Sequence, residues 1–60
     1  MLPQDPIILL SYINTQLRDN YGSLEALADG LDLDPADLEN AVNRLKEMGY
    51  AYDAAQNKFI

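Results

Sequence analysis

SLEALADGLDLDPADLENAVNRLKEMG, Ser23 to Gly49, decides the fold, because it reads as two short helices joined by a tight corner. Ser23 is placed to cap the first, and Leu24, Leu27 and Ala28 fall at i, i+3 and i+4, the spacing of a buried stripe. Gly30 is expected to end that helix, with Leu31 and Leu33 plugging the corner. Asp34-Pro35 then opens the second helix with a capping carboxylate, followed by a proline whose missing N–H costs nothing at the first helical position. Along that helix Leu38, Ala41, Val42, Leu45 and Met48 share one face, and Glu39, Asn40, Asn43, Lys46 and Glu47 take the opposite one. This layout is a helix-turn-helix.

Upstream, Asp5-Pro6 repeats the capping pair, so another helix is predicted from there to about Asn20. At about 100° per residue Leu10, Ile13 and Leu17 form a narrow stripe flanked by Leu9 and Ile7, the expected core face, while Ile8 and Tyr12 point the other way. Tyr21-Gly22 breaks the helix. Downstream, Gly49 supplies a residue tolerant of the left-handed conformation that commonly follows a helix, and the period changes from 3.6 to 2 over Tyr50 to Asp53. Ala54 to Asn57 makes a loop, and Lys58-Phe59-Ile60 returns antiparallel, pairing Tyr52 with Phe59 toward the core and Asp53 with Lys58 toward solvent. A two-stranded hairpin is marginal alone, so Tyr50, Tyr52 and Phe59 must lie against the helices. The expected fold class is α+β: three helices with a helix-turn-helix and a C-terminal two-stranded β-hairpin, forming one domain over residues 1–60.

Three helices followed by a hairpin is the order of elements in a winged-helix domain, and LEALADGLDLDPADLENAVNRLKEMGY resembles the helix, corner, longer helix and glycine of that fold. The whole chain is also similar to DUF4250, a family of short bacterial proteins of unknown function. The residues that carry that likeness are LPQDPIILLSYINTQLRDNYGSLEALADGLDLD at the front and GYAYDAAQNKFI at the back. The resemblance implies a winged-helix-like single domain and implies no activity.

Sixty residues bury only about 60% of the unfolded surface, so the core is thin. Cysteine and histidine are both absent, which removes disulfide staples and the usual zinc ligands and leaves well-patterned helices or a partner subunit to supply stability. Ten acids against four bases give a net charge of −6, a field that repels phosphate. No stretch approaches the roughly eighteen apolar residues of a membrane span, and MLPQDP has no basic region ahead of Ile7–Leu10 as a signal peptide would, so a cytoplasmic location is expected.

A winged-helix protein that binds DNA lays its third helix in the major groove, which makes Asn40 and Asn43, with Arg44, Lys46 and Lys58, the residues such a role would use. Asp37 and Glu39 carry the wrong sign for it, and the bases are fewer than the several phosphate contacts useful affinity needs. Asp29, Asp32, Asp34 and Asp37 crowd the corner but lack the alternating ligands, central glycine and terminal glutamate of a calcium loop, so no metal site and no cofactor are expected. Catalysis is not expected either, because Ser11, Thr15 and Ser23 have no histidine to activate them. Ile8 and Tyr12 remain, an apolar pair at i and i+4 on the back of the first helix, with Thr15 and Asp19 continuing the line. Either the N-terminal lead or the hairpin covers them within the chain, or they point to a protein-interaction or self-association module, with a small DNA-binding transcriptional regulator as the alternative.

Overall fold

The computed structural model describes residues 2–60. Along the chain they form α1 (Pro6–Asp19), α2 (Leu24–Gly30), α3 (Pro35–Glu47), β1 (Tyr52–Asp53) and β2 (Lys58–Phe59), within extents of 24 × 23 × 16 Å. The expected α+β architecture of three helices closed by a two-stranded antiparallel hairpin is the one adopted. Among the described residues no helix is long and apolar enough to cross a membrane.

The helix starts follow from their caps, with one exception. The Asp5 carboxylate accepts from the Ile7 N–H at 2.9 Å and the Ile8 N–H at 3.2 Å, satisfying two of the donors that an α-helix leaves unpaired at its start. Ser23 Oγ accepts from the Ala26 N–H at 3.0 Å in the same way. Asp34 occupies the cap position of α3 with an extended backbone, yet its side chain accepts no capping bond. There the start rests on Pro35, which removes one orphan donor, and on the first backbone bond, from the Leu38 N–H to the Asp34 carbonyl at 3.0 Å.

The two later helices end alike. After α3, Gly49 takes φ +92°, its N–H reaches the Lys46 carbonyl at 2.9 Å and the Tyr50 N–H reaches the Leu45 carbonyl at 3.0 Å, the paired bonds of a Schellman motif. After α2 the same pair runs from Asp32 to Asp29 and from Leu33 to Ala28. The left-handed residue there is Asp32, at φ +54°, and Gly30 is instead the last residue inside the helix. Its glycine answers a different demand: a Cβ at position 30 would lie 2.6 Å from Cζ and Oη of Tyr21.

Leu9, Ile13, Leu17, Leu27, Ala41, Leu45 and Phe59 form the buried core. α1 is therefore turned from its expected phase: Leu9 is fully buried, Leu10 only half-buried, and Ile7, expected on the flank of the core face, is 70% exposed. Met48, expected on the inner face of α3, lies at its margin with 36% exposure.

The hairpin has the expected register, Tyr52 opposite Phe59 and Asp53 opposite Lys58, with the Tyr52 and Phe59 rings 5.5 Å apart and tilted by 54°. Ala51 and Ile60 exchange both backbone bonds at 3.0 Å, so the adjacent Tyr52–Phe59 pair is the non-hydrogen-bonded kind, and the Phe59 N–H and carbonyl face away from β1. Asn14 of α1 meets both. Its Oδ1 accepts from the Phe59 N–H at 2.8 Å and its Nδ2 donates to the Phe59 carbonyl at 3.1 Å, as a one-residue third strand would. Asn57, left-handed at φ +53°, ties the loop to the end of α1: its Nδ2 donates to the Leu17 and Tyr21 carbonyls at 3.0 and 2.9 Å. Its Oδ1 accepts from the Tyr52 hydroxyl at 2.7 Å.

Candidate functional site

With Leu9, Ile13 and Leu17 turned inward, helical geometry leaves Ile7 about 120° and Ile8 about 140° from the middle of the buried line. Both face solvent, Ile7 at 70% and Ile8 at 58% exposure. Their amides are the two that Asp5 binds, so the most exposed large hydrophobics among the described residues stand on a backbone fixed by its cap. Tyr12, expected to share the outward patch with Ile8, is half-buried and packs against the core. The exposed apolar pair is thus Ile7–Ile8 rather than Ile8–Tyr12. The physical reason is the same change of phase: a helix whose buried line centres on Ile13 between Leu9 and Leu17 carries Tyr12 at its edge.

Thr15 and Asp19 are exposed on the same helix. Asp19 accepts from Arg18 Nε at 2.8 Å and Arg18 Nη2 at 3.0 Å, which holds the carboxyl below its usual range and the guanidinium above its own. The two side chains remain 75% and 47% exposed, so water screens most of that attraction.

The bases a DNA-binding role would use do not come together. Asn40 and half-buried Arg44 line one hollow with Asp37, Leu2, Gln4 and Leu33, whereas Asn43 and Lys46 are exposed on α3 outside it. Two positions along a helix, Lys46 leaves α3 about 160° around from Arg44. Lys58 lies elsewhere, on a groove of about 790 Å³ between α1 and the hairpin, with Arg18. Asp34, Asp37, Glu39 and Glu47 are all exposed along α3 or at its start.

At the corner Asp29, Asp32, Asp34 and Asp37 each face water, and among the described residues no three carboxylates gather as metal ligands would. Asp32 serves the turn through its backbone. Sequence reasoning also passed over Asn14 and Asn57, whose carboxamides hold the hairpin beside the groove. The only signal of either was an asparagine at the end of a hairpin loop, a residue that tolerates positive φ.

No curated protein and no solved structure matches the chain. A family model does, over residues 3–59, nearly the full length of three helices and hairpin: the chain belongs to DUF4250, a domain of unknown function.

Proposed function

We propose that this is a winged-helix-like, non-catalytic module of the cytoplasm that works by contact with another protein, or with a second copy, through the solvent face of α1 around Ile8. The observation that carries this reading is the adjacency of Ile7 and Ile8, both exposed, on a turn whose amides Asp5 already holds. Removing one such side chain from water contributes about 1.5–3 kcal/mol, so the pair supports a modest, reversible contact without any change of backbone. Tyr12, one turn along, supplies the edge of the same surface. Sedimentation of the labelled chain in extract of the producing cells tests the proposal. The wild type is expected to move as a larger species and Ile8→Glu as the free chain; identical sedimentation of the two would contradict it.

A small transcriptional regulator is the rival, favoured by the order α2, corner, α3, hairpin, and it would use Asn40, Asn43, Arg44, Lys46 and Lys58. The net charge of −6 and the separation of Arg44, Lys46 and Lys58 weigh against it. A gel shift with genomic DNA separates the two, since phosphate contact must weaken as salt rises.

A further inference from the structure

The lining of the groove between α1 and the hairpin carries bases and no acids, with Asp19 bound to Arg18 just outside it. None of the ten carboxylates lines it, whereas two of the four bases, Arg18 and Lys58, do. Leu10 is half-buried in its floor and Ile7 stands open at one end. The Ser11 and Thr15 hydroxyls follow its length, and from Ile7 to Arg18 the helix rises roughly 16 Å, about three turns. Arg18 gives Nε and Nη2 to Asp19, and its Nη1 has no partner among the described residues. Lys58 has no carboxylate partner among the described residues; Asp53, opposite it in the hairpin, is engaged by the Ala55 N–H and Gln56 Nε2.

We propose that this groove docks an acidic amphipathic helix of a partner protein, its apolar side chains against Ile7 and Leu10 and its carboxylates toward Arg18 and Lys58. The proposal rests on the interaction reading above and names the partner's chemistry. A helix fits better than an added strand, because the outward N–H and carbonyl of Phe59 are already taken by Asn14 and offer no edge for pairing. A second copy fits poorly, because a standard interface would cover about 800 Å² of each chain, a fifth of the 4020 Å² surface.

The test is a titration of the ¹⁵N-labelled full chain with a synthetic amphipathic peptide of leucine, alanine and glutamate, and with its counterpart carrying lysine for glutamate. The acidic peptide is expected to give saturable shifts at Ile7, Leu10, Ser11, Thr15 and Lys58. Arg18→Gln with Lys58→Gln should weaken it about 3- to 10-fold, in line with two exposed charge contacts, and Ile7→Ser about tenfold. All three positions are exposed, so the unperturbed spectrum reports an intact fold. No shifts with the acidic peptide, or shifts indifferent to the charge-removing pair, would overturn the proposal. Equal binding of the basic peptide at these residues would overturn the acidic class alone, whereas the interaction reading stands or falls on the Ile8→Glu sedimentation.

Discussion

Alanine at position 30 should gain about 1 kcal/mol over glycine from helix propensity, since Gly30 is the last residue inside α2. The Tyr21 ring reverses that sign, because the new Cβ would occupy the space of its Cζ and Oη. Gly30→Ala is therefore expected to destabilise the wild type by about 1–2 kcal/mol and, in a Tyr21→Ala background, to stabilise it by up to about 1 kcal/mol. Urea denaturation of the four proteins of that cycle checks it; the same sign in both backgrounds would contradict the contact. The glycine itself was legible as a helix end, but its reason was not. A ring brought in from nine positions earlier leaves no trace in local spacing, and the conformational role expected of Gly30 passes to Asp32, whose acidic side chain disguises a left-handed turn.

The two Asp-Pro pairs look alike in sequence, and the elements they open treat them differently. Asp5 holds two amides through its carboxylate, while Asp34 holds none. Asp5→Ala should cost about 1 kcal/mol and Asp34→Ala no more than a few tenths, as read from paired thermal melts. The hairpin tests its anchors in the same manner. Asn57→Gly keeps the positive φ while deleting bonds to Leu17, Tyr21 and Tyr52, and is expected to lose about 1–3 kcal/mol. Asn14→Ala should lose a similar amount and expose the Phe59 amide to fast hydrogen exchange, since its acceptor is gone. Register was legible because Tyr52 and Phe59 alternate with polar neighbours around a four-residue loop. The asparagine anchors were not, as their partners lie some forty residues away along the chain. The phase of α1 was ambiguous for a simpler reason: Ile7-Ile8-Leu9-Leu10 is an unbroken apolar run that fits two helical phases, and only packing against α3 and β2 selects Leu9.

At the scale of the whole molecule, a charge of −6 on sixty residues is self-repelling, and the single ion pair among the described residues, Arg18–Asp19, is exposed. Raising sodium chloride from about 10 to about 150 mM should thus raise the melting temperature by a few degrees, where a molecule held by surface ion pairs would lose stability. The depressed Asp19 carboxyl contributes a small increment that is present above the ordinary carboxylate range and fades as acid protonates it in the folded chain. With no histidine in the sequence, no side chain of ordinary pKa titrates between about pH 6 and 8, and the melt should be flat there. Of the surface offered for contact, Ile8 was legible because it falls off every buried line the helix can draw. Ile7 and the basic groove were not, since both depend on where the hairpin settles. The central claim is that α1, and not α3, meets the partner. A photo-crosslinking residue placed at position 8 in the producing cells, and separately at position 43, tests it directly. The account predicts a discrete protein adduct from position 8 and none from 43; adducts to protein or DNA from 43 with none from 8 would contradict it.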